Sequence, residues 1–330
     1  MHKKNFVRLL SITTIFGLLM IPKLCQASHA YDGPEVKLVD GQNFSFSVRG
    51  SLGYLNGEAR ELVYDFDQGY RRKASELIWD LKGLGMIGGI ASVKYTKWLN
   101  VNLGIWTALN EGSGSMIDYD WFSNVPGAPS QNDWTDRSIS DAQVVNATMF
   151  DLNLSAEIFR LDQIAFHAIL GFKQDSWEWD DSAHEYVYSS YSFRDTIGSF
   201  GGINVIDYEQ TFSIPYVGIS VNGPLGPFDC SAYLLFSAAV SAEDNDFHIL
   251  RGLHFKETFS GGNYVALGLN ATYHISDALF VSAVLDSQTI PEIDGDMELT
   301  DPNGETMSDT DTAGISHEST MLSVIVGYIF

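Results

Sequence analysis

Beyond its first thirty residues, this 330-residue chain has no apolar run long enough to cross a bilayer as a helix, which takes ~20 residues. Cysteine is nearly missing, with only Cys25 and Cys230, so neither a disulfide scaffold nor a Cys-rich zinc site is available. Cys230 lies in an alternating stretch, where a small buried or lipid-facing thiol is expected in place of a nucleophile. Basic residues are scarce too, 19 Lys and Arg against 42 Asp and Glu. Four of those 19 (Lys3, Lys4, Arg8, Lys23) fall in the first thirty residues, which hold no acid. The remainder therefore carries 15 basic and 42 acidic residues, a net of −27. Such a field repels nucleic acid and attracts cationic partners. The histidines come with no Gly-x-Ser-x-Gly elbow and no His-Glu-x-x-His pair. Both a lipase and a zinc peptidase are disfavoured on that ground, and no metal or cofactor is expected.

What the chain does have begins with a leader. Lys3, Lys4 and Arg8 precede an apolar core from Leu9 to Ile21, and Ser28-His29-Ala30 offers a small-x-small cleavage site. Residues 1–30 thus read as a secretory signal peptide. Pro22-Lys23-Leu24-Cys25 fits a lipoprotein signal poorly. Residues 31–330 show no repeat, linker or second domain, and are expected to form one exported unit.

The rest of the chain is patterned with a period of two. Phe44, Phe46 and Val48 alternate with Asn43, Ser45, Ser47 and Arg49. Phe150, Leu152, Leu154 and Ala156 alternate with Asp151, Asn153 and Ser155, and Val265, Leu267 and Leu269 with Ala266, Gly268 and Asn270. Alternation of this kind serves a soluble sandwich or a membrane barrel equally well. The C-terminus separates them: Leu322, Val324, Val326, Tyr328 and Phe330 put every second residue on one apolar face, and the chain ends on the Phe. That resembles the last strand of bacterial outer-membrane barrels. The expected fold is all-β, a ten-stranded antiparallel transmembrane β-barrel with long extracellular loops. Its strands are expected near 43–57, 72–97, 100–115, 145–160, 163–180, 205–222, 228–243, 262–275, 278–292 and 316–330. Tight turns on one side and long Asp-, Ser-, Asn- and Gly-rich connections on the other match periplasmic turns and outer loops.

Two acidic stretches open loops on the long-connection side. Asp244-Asn245-Asp246-Phe247-His248 holds two carboxylates and an imidazole, which can orient and deprotonate a water molecule. Met116-Ile-Asp-Tyr-Asp-Trp121 supplies Asp118 and Asp120. Members two residues apart point to the same side of an extended chain. The topology predicts that the two pairs leave distant parts of the wall and meet across the barrel mouth. Clustered carboxylates there should raise at least one pKa by mutual repulsion.

These stretches, with Trp134-Thr-Asp136, Phe193-Arg-Asp-Thr-Ile-Gly-Ser-Phe200 and Ile214-Pro-Tyr-Val-Gly218, resemble the omptin family of outer-membrane proteases in order and approximate spacing. The resemblance implies an aspartyl-type endopeptidase on the extracellular side of the bacterial outer membrane. Asp246 would orient His248, His248 would take the proton of a water, and Asp118 with Asp120 would hold that water from the far side. Glu61 and Asp244 would form the pocket for the residue before the cut, walled by Met116 and Ile206. Two carboxylates favour Arg over Lys there. Asp136 would favour a basic residue after the cut, so basic peptides or proteins are the expected substrates. The family also needs lipopolysaccharide, gripped by basic residues on the outer wall. Ser176 and Thr211 stand where Arg would be expected, with Lys173 and Lys256 as candidate substitutes. Phe247 replaces a usually polar residue, and Ser140 a family His. The competing reading is a non-enzymatic adhesin using the same acidic rim on basic surfaces.

Overall fold

The computed structural model describes residues 44–67, 69–96 and 98–330; the leader expected at 1–30, with Cys25, lies outside them. Twelve strands follow one another: β1 (Phe44–Asp67), β2 (Tyr70–Tyr95), β3 (Leu99–Ala108), β4 (Gly114–Asp120), β5 (Asp136–Leu161) and β6 (Ile164–Tyr188). The remainder are β7 (Thr196–Ile203), β8 (Ile206–Leu225), β9 (Phe228–His248), β10 (Leu253–His274), β11 (Leu279–Thr300) and β12 (Thr306–Ile329). Every pairing is antiparallel, and β1 pairs with β12, so the first and last strands close a ring. Both β3 and β4 bridge β2 to β5, one below the other, and form a single interrupted wall strand. The short β7 hangs on the upper end of β6. Counted as walls, the ring has the ten expected strands, and closure leaves no free edge in the membrane.

Most walls rise higher than expected. β1 and β5, expected at 43–57 and 145–160, have 24 and 26 residues, while β2 has the length its expected span of 72–97 implies, 26 residues; all exceed the ~9–11 a bilayer requires. Of the segments expected as long loops, 58–71, 181–204, 244–261 and 293–315 are mostly strand, with short tips such as 249–252 and 301–305, whereas 116–144 keeps a long loop at 121–135. The reason is a change of solvent along each wall. Low on the barrel the outward residues are exposed and apolar: Val48, Leu52 and Tyr54 on β1, Leu152 and Leu154 on β5, Leu322, Val324 and Val326 on β12. Higher up the outward face turns polar, with Asn56 and Thr320 exposed and Ser287 bonded to Thr320 at 3.0 Å. There the apolar alternation vanishes from the sequence, while the backbone ladder continues, interrupted only by bulges such as those at Val63/Tyr64 and Ile290/Ile293, because each strand still satisfies its neighbour. Exposed Tyr95, Trp98, Phe228, Tyr273 and Phe330 ring the turn end, where Phe330 N–H donates to the Phe46 carbonyl at 2.8 Å. An apolar belt with an aromatic girdle is the signature of a transmembrane barrel.

The interior is filled. Low down it is polar, with Asn102 donating to Asn153 at 2.9 Å and the Lys173 ammonium paired with Asp175 at 3.0 Å and with Gln288. Lys173 is 3% exposed and points inward, so it offers nothing to a lipid on the outer wall; the alternation of β6 places it on the lumen face. Above this layer Trp177 and Phe212 enclose the His317 ring, and Trp79, Trp179 and Tyr208 stack with centroids 5.1–5.9 Å apart. Cys230 is buried near the turn end of β9, the opposite end from Asp244.

Because Val324 meets lipid in the belt, Val324→Arg should cost about 2–4 kcal/mol. Urea unfolding in lipid vesicles measures this, with Thr320→Arg, above the belt, expected to be nearly neutral.

Candidate active site

The rim of the barrel gathers carboxylates from several walls. Asp118 and Asp120 end β4, whereas Asp244, Asp246 and His248 lie on the last residues of β9. The Asp244–His248 stretch is strand and not the opening of a loop, and its alternation explains its design. Asp244 and Asp246 are 1% and 2% exposed and face inward, while Phe247, between Asp246 and His248, points outward against His254. Phe247 therefore leaves the interior untouched.

Across the mouth, Asp118, Leu77 and Glu61 occupy one level on β4, β2 and β1, and Glu61 is buried. Ser75 donates to Asp118 at 3.3 Å. Met116 is wholly buried two residues below Asp118, and Ile206 faces His248 across the β8–β9 ladder. Asp136 sits opposite Asp120 on β5, and its Oδ1 accepts the Ser189 backbone N–H at 3.0 Å. All nine residues singled out in the sequence thus lie at the same end of the barrel.

The imidazole is held from both sides. His248 Nε2 donates to Asp246 Oδ2 at 2.6 Å. Its Nδ1 accepts from the guanidinium of Arg251, three residues on, in the tight turn to β10. Gly252 adopts φ 62° in that turn and donates to the His248 carbonyl at 2.8 Å; the left-handed conformation favours glycine there. The Arg251 charge also acts on Asp118, Asp120 and Asp246, so the guanidinium lies between the two acidic halves.

Burial and mutual repulsion dominate the electrostatics. Removal from water, then the neighbouring Asp120 charge, holds the Asp118 carboxyl well above its ordinary range, with the Ser75 hydrogen bond opposing. Burial lifts Asp120 to about 6 and Asp244 to about 7. Glu61 is pushed well up by burial, then by Asp246, Glu257, Asp244 and Asp118. Burial lifts Asp246 to about 8, opposed first by the Arg251 charge and then by a hydrogen bond from Glu61. Such upward shifts in a cleft are what acid–base chemistry near neutral pH requires.

Several contributors escaped the sequence reading. Tyr208 donates to Asp244 Oδ2 at 3.0 Å, and Gln210 donates to the Tyr208 oxygen at 2.8 Å. Glu257 faces Asp244 across the β9–β10 ladder. The signal for Glu257 was its alternation with outward Lys256 and Thr258, but only the register of the hairpin says which acid it meets. On the outer wall Ser176 and Thr211 face each other, with Thr211 donating to Ser176 at 3.1 Å, while Lys256 is exposed and points outward.

Comparison with known proteins places the chain among these architectures. Residues 42–330 match the Omptin family. A plasminogen activator of Yersinia pestis is 33% identical over 290 residues, 87% of this chain and 90% of that protein. The outer membrane protease OmpP of Escherichia coli K12 is 30% identical over 287 residues, 85% and 89% of the two chains. The crystal structure of the outer membrane protease OmpT from Escherichia coli superposes with a TM-score of 0.81 at 25% identity, covering 88% of this chain and 99% of that one.

A carboxyl whose pKa is raised on folding binds protons more tightly in the folded state, so folded stability falls as pH rises from the unfolded value through the folded one. Between about pH 4 and past pH 6, ionisation of Asp120 therefore weakens the barrel. Asp120→Asn should be more stable than wild type at pH 8, on the order of 1–3 kcal/mol. Urea midpoints should show that gain disappearing at pH 4, where both side chains are neutral.

Proposed function

This chain belongs to the omptin family and is a protease of the bacterial outer membrane; on that premise we propose that it is an endopeptidase cutting between basic residues with a water activated at the Asp246–His248 pair. The observation that carries the reading is the facing of two acidic halves across one closed mouth, with an imidazole hydrogen-bonded to a buried carboxylate on one of them.

The chemistry follows from the ring's two nitrogens. Nε2–H is committed to Asp246, which sets the tautomer and leaves Nδ1 as the proton acceptor. Nδ1 is capped by Arg251, so the guanidinium must swing off before His248 can act as a base. Its exposed position on a four-residue tip leaves it free to do so. A water then sits between Nδ1 and the Asp118–Asp120 pair. As the water oxygen bonds the scissile carbonyl carbon, its proton passes to Nδ1. The imidazolium, balanced by Asp246, returns that proton to the leaving nitrogen as the C–N bond breaks. No side chain becomes a covalent intermediate; position and proton transfer supply the rate.

Specificity follows from the same acids. Glu61 and Asp244 are buried beside the dyad, with Met116 and Ile206 as apolar walls, and suit the planar fork of an Arg before the cut. Asp136, beside Asp120, suits a basic residue after it. We place this rim outside the cell, because short turns and both ends of the described chain lie at the other end of the barrel. Lipopolysaccharide meets hydroxyls at Ser176 and Thr211, which grip phosphate less firmly than a guanidinium fork. We therefore read it as the surrounding lipid and not as a strict activator.

His248→Ala and Asp246→Asn should each lower kcat/KM on a short Arg-Arg peptide by about 10²–10⁴-fold while leaving a folded, heat-modifiable barrel. An Arg-Arg peptide left intact by folded wild-type protein, with and without lipopolysaccharide, would sink the reading.

A further inference from the structure

The pocket beside the dyad holds one acid more than its chemistry has so far used. Glu257 lies on β10 directly across from Asp244 and is 0% exposed. Its chain neighbours Lys256 and Thr258 are exposed on the outer wall, so the Glu257 side chain is turned into the lumen. No amide, amine or hydroxyl donates to either of its carboxylate oxygens, and the one group in hydrogen-bonding reach of its side chain is the Asp244 carboxyl. Like charges placed directly opposite on paired strands repel, and an unpartnered buried carboxylate is costly. Nothing in the fold requires an acid at this position, because an apolar residue would pack there without that cost.

The surroundings show what the acid could receive. Glu61 Oε2, Asp244 Oδ1, Asp246 Oδ1, Gln210 Oε1 and both Glu257 oxygens are all buried and receive no amide, amine or hydroxyl donor. These are six acceptors from five side chains, enough for the five N–H donors of a guanidinium, which has no acceptor of its own. The charged and titratable groups facing Glu257 are Asp244 and Asp246 from β9, Glu61 from β1 and the Tyr208 phenol from β8. From β11 its cross-strand partner is the uncharged Met297. Every charge that acts on Glu257 is another carboxylate, and with burial they hold its pKa well above the ordinary range.

Resting on the protease reading above, we propose that Glu257 is a third carboxylate of the specificity pocket, contacting the cationic side chain of the residue before the cut. When the pocket is empty, Asp244 and Glu257 are close enough to share a proton, which relieves their repulsion. An entering guanidinium takes over that role and the shared proton leaves to solvent. Substrate binding is thereby exchanged for a proton, so KM for a basic substrate falls as pH rises, independently of the proton transfers at His248.

The test uses purified full-length barrel refolded in lipopolysaccharide-containing detergent, an Arg-Arg peptide, and benzamidine as a small non-cleavable cation. Glu257→Gln copies the protonated acid in size and shape, and removing a buried charge should leave it at least as heat-stable as wild type. For wild type, KM and the benzamidine inhibition constant should both fall from pH 5.5 to 8.5. In Glu257→Gln both should vary less steeply with pH, keeping only the part that Glu61 and Asp244 supply, and should be about tenfold weaker at pH 8.5, the size of one charge-assisted hydrogen bond, with kcat within about threefold. Glu257→Asp should restore part of the pH slope. A folded Glu257→Gln barrel with the wild-type KM profile and wild-type benzamidine binding would overturn the proposal. So would one whose loss lies wholly in kcat. Wild type failing on the Arg-Arg peptide would instead overturn the protease reading, while its benzamidine profile would still report on the pocket.

Discussion

A closed ladder of backbone hydrogen bonds is the constraint on which this molecule depends. Glu61, Asp118, Asp120, Asp244, Asp246 and Glu257 repel one another, and no arrangement of loops would hold them together against that repulsion. The ring of ten walls does so because each acid sits on a strand whose backbone is tied on both sides. The cost is spread over a large number of ladder bonds instead of falling on one turn. The acids consequently sit on strands tied on both sides, whereas Arg251 sits on the four-residue tip between β9 and β10.

The layers below the rim serve the same end. The stack of Trp79, Trp179 and Tyr208 closes the lumen beneath the acids, so the carboxylates face an apolar floor in place of a water column. That floor strengthens their mutual repulsion and raises their pKa values by desolvation. It also carries the Tyr208 hydroxyl, a neutral donor that stabilises Asp244 from below. Under it His317 is wedged between Trp177 and Phe212, and burial pushes its pKa down to about 3. It is a neutral packing ring, in contrast to His248 at the open end.

Stability and activity therefore pull apart at the mouth. The residues that make the cleft attractive to a cation are those whose ionisation weakens the empty barrel. Arg251 relieves part of this in the resting molecule by placing a guanidinium among the acids and on the imidazole. A substrate bearing the same group can take over that electrostatic role, which links the resting contact to the proposed preference for basic side chains.

Much of this was legible from residue order alone. Period-two alternation, the terminal aromatic strand and the uneven connections settle the barrel and its ten walls, because lipid imposes an apolar face every second residue. Spacing put Asp118 with Asp120 and Asp246 with His248 on shared faces, since residues two apart in a strand point the same way, while the roles expected of them came from the family resemblance. Where lipid ends, the pattern ends with it, so the raised walls read as loops and Asp244–His248 as a loop opening. Lys173 read as a wall residue although its strand parity turns it inward. Only tertiary structure decided the register that sets Glu257 against Asp244. It also decided the fold-back of Arg251 onto Nδ1 of His248. These are contacts between chain segments joined by turns of unreadable length, and a shift of one residue in any of them would turn every one of those side chains to the opposite face.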